Sequence, residues 1–183
     1  MQAPSAQTTA PALQALLEDG ALAGEWVLDP RKSSIGLKSS VMGLIPVKGV
    51  FREVRGKGTV SADGAVSGTV RVSAASIDTE NTRRDTHLRS TDFFDSDNNP
   101  DITFIVDGIR PSGESVAVTG ALTVRDRTRP LSFEAAASVL GDGEIWLDAE
   151  IHVNRGDFGL AWNFLGMASM NNILTIHAVF TQR

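Results

Sequence analysis

Apolar side chains recur at every second position over long stretches of this chain, and this alternation limits the folds that the chain can adopt. Within residues 115–125 the apolar positions are Val116, Val118, Leu122 and Val124, separated by small or polar residues. The same alternation is repeated in residues 131–139, 144–153 and 174–180. Because successive side chains of a β-strand point to opposite faces, each stretch predicts a strand with one buried face.

Further strand candidates precede these four and bring the expected number to eight or nine. They cover residues 25–29, 33–39, 49–61, 66–74 and 101–108. Turn residues such as Asp63-Gly64 and Asp142-Gly143 separate neighbouring candidates, which favours short connections. Strands this numerous, each with one apolar face, predict an all-β fold in which an eight-stranded antiparallel sheet closes into a barrel, because closure removes exposed edges.

The N-terminal segment lacks this alternation. Residues 12–19 predict a short helix that ends at Gly20, and residues 1–11 have a composition typical of disorder. We therefore divide the chain into an N-terminal tail with a short helix, residues 1–24, and a barrel domain, residues 25–183. We found no internal repeat or linker that would argue for a second domain, and 183 residues suit a single core.

A second segment without alternation follows the strand candidate at 66–74 and is rich in charged residues. It predicts a short helix at about 82–90, capped by the side chain of Asp78 or Thr79. Such a helix would lie near one mouth of the barrel and cover it with three apolar side chains, Leu88, Phe93 and Phe94.

The inward face of the predicted barrel determines what the protein could hold. Several inward positions carry small residues, namely Gly68, Gly120, Ala135, Ala137, Ala149 and Ala178. No acid, base or histidine falls in the inward register of the four C-terminal strands, so a cavity there would be apolar. An eight-stranded barrel is just wide enough to hold one small ligand or to be filled by its own side chains, and the sequence leaves both alternatives open.

Composition excludes several functional classes. A net charge of −5 provides no basic stripe for nucleic acid, and the absence of cysteine excludes disulfides and thiolate-ligated metals. The three histidines are scattered, with His152 and His177 in outward phase, and the common catalytic motifs are missing. Residues 95–101 place oxygen side chains at the spacing of a calcium loop, but Pro100 and Val106 stand where glycine and glutamate are required. We expect no enzyme, no metal and no cofactor.

Export would change the interpretation of the N-terminus. A secretory leader begins with a basic region, yet no Lys or Arg precedes Arg31, and Glu18 and Asp19 interrupt the leucine-rich run. We therefore expect no signal peptide and a cytoplasmic location. A mature protein that had lost its leader would look the same, which keeps a periplasmic or secreted location as the alternative.

Several motifs, taken in order along the chain, resemble those of the YceI-like family. The most extensive lies at residues 76–79, 81, 84–85, 87–90, 92–95, 100 and 102–104. Others lie at residues 26–30, 49–51, 120–123, 127–130 and 157–159. Each motif is weak alone, but the ordered set extends over residues 25–182 and is specific. The chain departs from the family at residues 38–40, Lys-Ser-Ser, where relatives often carry Lys-His, and any contact of that histidine is in doubt here.

The resemblance implies a lipocalin-like antiparallel barrel that binds polyisoprenoids or other long amphiphiles in an elongated apolar cavity, often as a homodimer and without catalytic machinery. The residues that we expect to form the apolar cavity are Phe104, Val118, Leu122, Phe133, Ala135, Leu147, Ala149, Ile151, Ile176, Trp162 and Phe164. Arg84, His87 and Arg89 are candidates for contacts with a ligand head group, and the alternative is that they form a solvated helix face.

Two apolar loops admit further roles. Residues 160–170 and residues 41–46 are strongly apolar in positions expected to connect strands. They would serve as flaps over the cavity, as a dimer interface, or as a surface that touches a membrane transiently during ligand uptake. The main alternative to a lipid carrier is accordingly a non-catalytic interaction module, a filled barrel that uses these loops to bind a second copy or another partner.

Overall fold

Alternating residues form long antiparallel strands throughout a computed structural model, which describes residues 10–140, 143–163 and 167–183. The strands are β1 (Gly24–Leu28), β2 (Ser34–Val41), β3 (Ile45–Phe51), β4 (Val54–Val60), β5 (Val66–Ser73), β6 (Ile77–Asp78), β7 (Asp101–Ser112), β8 (Ser115–Val124), β9 (Arg127–Leu140), β10 (Glu144–Asn154) and β11 (Asn171–Gln182). Two helices accompany them, α1 (Ala10–Glu18) and α2 (Thr82–Arg89). Of the residues predicted to be disordered, 1–9 lie outside the described residues, and the prediction is wrong for residues 10 and 11, which belong to α1.

The strands close into the eight-stranded antiparallel barrel that the alternation predicts. The ring runs through β1, β4, β5, β7, β8, β9, β10 and β11, and pairing of β1 with β11 closes it. At this closure Trp26 lies opposite Gln182 and Leu28 lies opposite Phe180. Strand β2 also pairs with β11, at residues 173–177, next to the part of β11 that pairs with β1. Strand β3 pairs with β2 and β6 pairs with β3, so these three strands extend the sheet beside the ring. Each strand of the ring, as described, is therefore paired on both sides.

One predicted strand is divided in the structure. Residues 49–61 form two strands, β3 and β4, with a break at Arg52 and Glu53. A 3₁₀ turn at Ala74–Ser76 supplies the reason, because the backbone N–H of Arg52 donates to the carbonyl of Ser76 at 3.1 Å, and that of Glu53 donates to the Ser76 hydroxyl at 3.1 Å. Contacts with this distant turn replace the ladder at the break.

The connection between β2 and β3 is shorter than predicted. Val41 pairs with Ile45, so Ile45 belongs to β3 rather than to a loop. The hairpin is tight because Met42 and Gly43 both have positive φ, 55° and 68°, and the N–H of Leu44 donates to the carbonyl of Val41 at 3.2 Å. The apolar side chains of residues 42–45 are exposed at this tip.

Helix α2 confirms the predicted helix near one mouth, but its cap lies elsewhere. The side chain of Asn81, rather than that of Asp78 or Thr79, accepts a hydrogen bond from the N–H of Arg84 at 3.0 Å. Asp78 ends β6, and Thr79 instead binds the carboxylate of Asp85 through its own N–H at 3.0 Å. The Asp85 carboxylate is buried and accepts hydrogen bonds from both the N–H and the hydroxyl of Thr79.

Helix α1 lies across the opposite end of the barrel. Its side chains Leu13 and Leu17, together with Leu22 beyond the helix, are buried in one cluster with Trp26 of β1. The indole N–H of Trp26 donates to the carbonyl of Leu22 at 2.9 Å, which fixes the chain between the helix and the first strand. The N-terminal segment thus contributes to the barrel core.

Two apolar clusters, one toward each helix, form the core. The cluster toward α2 includes Phe51, Phe94 and Phe158, and the cluster toward α1 includes Trp26 and Val116. Small residues on the inner face were predicted to leave open space in the barrel interior, but Gly120 leaves none. The ring of Phe104 covers it so closely that an added Cβ would lie 2.7 Å from a ring carbon and would also meet the carbonyl of Ile105.

Candidate functional site

A cavity of about 450 Å³ occupies the barrel between the two helices. Its wall reaches from Leu13 and Leu17 of α1 to His87 and Leu88 of α2, so the cavity is elongated along the barrel axis. Most of the wall is aliphatic or aromatic. The volume lies within the roughly 300–1,000 Å³ that small-molecule sites usually occupy. The barrel interior therefore contains space that its own side chains do not fill.

Residues predicted for the cavity are found in its wall. Those that line it are Phe104, Val118, Leu122, Phe133, Ala135, Leu147, Ala149, Ile151, Ile176 and Trp162. Phe164, which we also predicted, lies outside the described residues. Apart from Trp162, which lies between the 3₁₀ turn at Arg155–Phe158 and β11, the lining residues come together because β7 to β11 are neighbours in the ring and each contributes every second side chain to the interior.

Of the three residues predicted to contact a head group, the structure brings two to the cavity. Arg84 and His87 line it, and they lie three residues apart on one face of α2. Arg89 is turned away, because its helical position directs it toward β6, where its Nη2 donates to the carbonyl of Ile77 at 2.9 Å. Arg89 holds α2 on the barrel wall in this arrangement.

Aromatic rings surround the mouth beside α2. The imidazole of His87 packs edge-on against the indole of Trp162, with ring centroids 4.2 Å apart, and against Phe93 at 5.5 Å. The rings of Phe93 and Trp162 are themselves 5.9 Å apart. Trp162 is 40% exposed although it lines the cavity, so it lies where the cavity approaches solvent. His87 also contacts Asp92, with Nε2 and Oδ2 3.4 Å apart.

Arg155 is a functional candidate that our sequence analysis missed. It lines the cavity, is only 7% exposed, and its guanidinium lies 5.4 Å from the ring centroid of Phe93. The guanidinium donates to backbone carbonyls of Leu160, Trp162 at 2.8 Å, Ala168 at 3.3 Å and Ser169 at 2.9 Å. Burial lowers the pKa of this guanidinium below its ordinary value, since desolvation disfavours the charged form.

A signal for Arg155 was present in the sequence. The inward positions of β10 are odd-numbered, from Ile145 to Val153, and Arg155 is the next residue in that phase. The prediction that no base falls in the inward register covered only the four C-terminal strands. The inward phase of β10 continues past Asn154 into the 3₁₀ turn at Arg155–Phe158, and this turn brings a base to the cavity.

Acidic residues elsewhere are engaged in ordinary contacts. At the loop with calcium-like spacing, Asp95 accepts hydrogen bonds from Asn98 and Asn99, and Asp101 pairs with Arg55 at 2.5 Å. Within the described ranges, no three His, Asp or Glu side chains are grouped so that they could hold a metal ion.

No helix in the described part of the chain is long and apolar enough to cross a membrane.

Known proteins resemble this chain over most of its length. Residues 26–181 match the family model described as a YceI-like domain. A UPF0312 protein of Photorhabdus laumondii is 32% identical over 130 residues, which are 68% of this chain and 66% of the relative. Protein YceI of Escherichia coli is 28% identical over 166 residues, which cover 85% of this chain and 86% of that protein.

Solved structures share the same barrel. BcnA of Burkholderia cenocepacia has a TM-score of 0.76 at 21% identity, covering 83% of this chain and 98% of the other. A polyisoprenoid-binding domain of Saccharophagus degradans, implicated in plant cell wall breakdown, has a TM-score of 0.71 at 14% identity, covering 86% and 98%. At these identities the likeness establishes a common fold.

Proposed function

Because the chain belongs to the YceI-like family and encloses an elongated apolar cavity, we propose that it binds an apolar amphiphile there and carries or sequesters it. The ligand class that we favour is a polyisoprenoid or an isoprenoid quinone. The unfilled cavity is the observation that carries the proposal, and the polyisoprenoid-binding domain with the same fold supports the ligand class. The role is one of binding, without a catalytic step.

Apolar burial is sufficient for such binding from water. Each buried CH₂ group contributes about 0.8 kcal/mol, so one five-carbon isoprene unit contributes roughly 3–4 kcal/mol. Micromolar affinity requires about 8 kcal/mol, which two or three buried units provide before the cost of association. A ligand that leaves a membrane gives up an environment that is already apolar, and most of this gain cancels. Selectivity must then depend on the shape of the cavity and on the head group.

The proposal predicts that purified protein retains its ligand. Native mass spectrometry of freshly isolated protein is expected to show an added mass of lipid size, and solvent extraction followed by mass spectrometry identifies the lipid. Replacement of Ala149 by tryptophan is expected to abolish this added mass, because the indole would project from β10 into the cavity.

Ala136→Trp is the matched control for Ala149→Trp. Ala136 lies on β9, is exposed, does not line the cavity, and pairs with Asp148, the neighbour of Ala149. This variant is expected to retain its ligand. Equal ligand content in both variants, each with a native circular dichroism spectrum, would show that binding does not occur in this cavity.

A second candidate function is association through the β2–β3 hairpin tip, which we define as residues 41–45. Met42, Leu44 and Ile45 are 62%, 86% and 56% exposed, and they form a contiguous apolar end. A turn whose central residues have positive φ favours Asn-Gly, so methionine there is unfavourable and gains no packing in return. The tip keeps apolar side chains exposed and a methionine in an unfavourable backbone conformation, which supports a role as an interface. We propose that it joins two copies of the chain into a homodimer.

The homodimer is tested by its size in solution. Light scattering after size exclusion is expected to give twice the chain mass, and Leu44→Ser is expected to shift the protein toward monomer because it removes the most exposed apolar side chain of the tip. Ile105→Ser, on the exposed face of β7, is the control and is expected to remain dimeric. A monomeric wild-type protein that floats with lipid vesicles, and whose Leu44→Ser variant does not, would assign the tip to a membrane instead.

A further inference from the structure

Three glycines lie at one level of the barrel wall. Gly58 of β4 pairs with Gly68 of β5, which pairs with Val106 of β7. Val106 in turn pairs with Gly120 of β8. Residues directly opposite each other on neighbouring strands share one face of the sheet, and in this row it is the inner face, since Val106 lines the cavity. Three of the four positions therefore present backbone without a side chain to the interior.

This row falls between the two apolar clusters of the core. On β8, Val118 belongs to the cluster toward α1 and Leu122 to the cluster toward α2, and Gly120 lies between them. On β5 the same division falls at Gly68. The glycine row thus marks the middle of the cavity along the barrel axis.

Neighbouring side chains cover Gly120 but leave the other two glycines open. An added Cβ at Gly120 would lie 2.7 Å from the ring of Phe104, and Gly120 does not line the cavity. An added Cβ at Gly58 would have only the Ser67 carbonyl and the Cα of Gly68 within 4 Å, counting the described residues. At Gly68 the three nearest atoms are likewise backbone atoms, all from β4. Both glycines line the cavity, and we call the bare stretch of wall that they form the glycine recess.

The cavity reaches the main chain at the glycine recess. Four residues in outward phase flank the two glycines and still border the cavity, namely Lys57, Thr59, Ser67 and Thr69. Residues whose side chains point outward border the interior through their backbone atoms. Because β4 pairs with β1 and β5, and β5 pairs with β4 and β7, the backbone amides here are used in the sheet. The recess therefore suits an apolar group.

Bulky side chains lie at the same level as the glycine recess. Phe104, Leu147 and Phe180 pack against both apolar clusters, which places them at the division between the clusters. Strand β10, which carries Leu147, is four strands from β5 in the ring of eight and lies across the barrel from it. A bound chain that passes this level runs between bulky side chains on one side and bare backbone on the other.

We propose that the glycine recess receives a methyl branch of the bound chain, so that Gly58 and Gly68 select a branched, isoprenoid-like chain over a straight one. The inference rests on the proposed function and identifies what determines its ligand class. A straight chain would leave the recess empty, and the atoms around an empty recess lose dispersion contacts. A methyl branch restores those contacts and removes further apolar surface from water. Glycine is needed at both positions because a Cβ would occupy the space itself.

Two isomeric alcohols test the proposal. Hexahydrofarnesol and pentadecanol contain the same atoms and the same head group, but only hexahydrofarnesol carries methyl branches. Titration of the delipidated full chain can be followed by the fluorescence of Trp26 and Trp162, which line the cavity. The branched isomer is expected to bind about fourfold more tightly, the gain from about one additional buried methyl group.

Nuclear Overhauser contacts show where the methyl branches lie in the wild-type protein. With the protein labelled at the glycine Cα positions, the methyl groups of unlabelled hexahydrofarnesol are expected to contact the Hα atoms of Gly58 and Gly68. Gly120 is the internal control and is expected to show no contact, because the Phe104 ring covers it. This measurement does not depend on whether a variant folds. Absence of contacts at both Gly58 and Gly68 in the saturated complex would overturn the proposal.

Gly58→Ala fills the recess with a methyl group of the protein. The two isomers are expected to bind this variant within about twofold of each other, and pentadecanol to bind as tightly as it binds the wild type. The added Cβ would lie 3.1 Å from the Ser67 carbonyl, so circular dichroism verifies the fold. Gly108→Ala is the control, since Gly108 lies on β7 and does not line the cavity, and it is expected to keep the wild-type preference.

The outcomes separate this inference from the carrier function. Equal binding of the two isomers by the wild type would overturn the selection of branched chains and leave the carrier function standing. An unchanged preference in a folded Gly58→Ala variant would overturn the role of the glycine recess in the same way. Failure of both isomers to bind would overturn the carrier function itself.

Discussion

Gly120→Ala is expected to lower the free energy of unfolding by about 3 kcal/mol, a large share of the stability of a domain of this size. A methyl group at this position would lie 2.7 Å from the ring of Phe104 and would also meet the backbone carbonyl of Ile105. The ring could rotate, but the carbonyl belongs to the β7–β8 ladder, in which Val106 lies opposite Gly120. Relief of the overlap would therefore disrupt strand pairing.

Gly108→Ala is the matched control for Gly120→Ala. Gly108 lies on β7, where it pairs with Thr119 of β8, but an added Cβ would have only the Thr119 hydroxyl near it, at 3.5 Å. Urea denaturation is expected to show a lower midpoint for Gly120→Ala and a nearly unchanged midpoint for Gly108→Ala, with equal slopes. If the two variants unfold at the same urea concentration, the close approach of Phe104 to Gly120 is not a feature of the folded protein.

Trp26→Ala is expected to lower the free energy of unfolding by about 3–5 kcal/mol, the usual cost of truncating a fully buried aromatic side chain. Trp26 is 3% exposed and packs with Leu13, Leu17 and Leu22 of the N-terminal segment. Its indole N–H also donates to the carbonyl of Leu22, which would lose this partner. The substitution would thus release α1 from the barrel as well as leave a void.

Trp146→Ala separates this effect from the loss of any tryptophan. Trp146 lies on β10 in outward phase, where its indole N–H donates to Glu144 at 3.2 Å and its ring meets His177 edge-on. Its truncation is expected to cost about 1 kcal/mol, the usual value for a side chain that is not fully buried. Equal thermal unfolding midpoints for the two alanine variants would show that α1 does not pack on the barrel as described.

Much of the barrel could be predicted from the sequence because its signal is local. Each strand shows its buried face through alternation, and a closed antiparallel sheet is the arrangement that buries such faces without exposed edges. The cavity wall followed from the same alternation, which placed residues such as Leu122, Ala149 and Ile176 on the inner face, where the structure has them.

Features that depend on distant parts of the chain could not be predicted in this way. The break between β3 and β4 arises from hydrogen bonds to Ser76, more than 20 residues away, and nothing in residues 49–61 signals it. The covering of Gly120 by Phe104 likewise depends on the register of two strands. Small inward residues alone do not distinguish space that is open from space that a neighbour fills.

Arg155 shows a different reason for a missed residue. Its signal was local, since it continues the inward phase of β10, but a charged residue just beyond a strand is most often solvated. Only the structure shows that the turn after β10 folds inward and that the carbonyls of Leu160, Trp162, Ala168 and Ser169 accept hydrogen bonds from the guanidinium. The chemistry of the mouth was therefore less predictable than the chemistry of the wall.

In the described part of the chain, α1 covers the end of the cavity opposite α2, so the interior is a sleeve with one covered end. Leu13 and Leu17 stand at its floor, while Trp162 stands where it approaches solvent beside α2. A long guest in such a sleeve must enter tail first and leave head first by the same opening. Because Leu13 and Leu17 limit how far the tail can advance, a chain longer than the sleeve would have to double back or leave its trailing polar end outside.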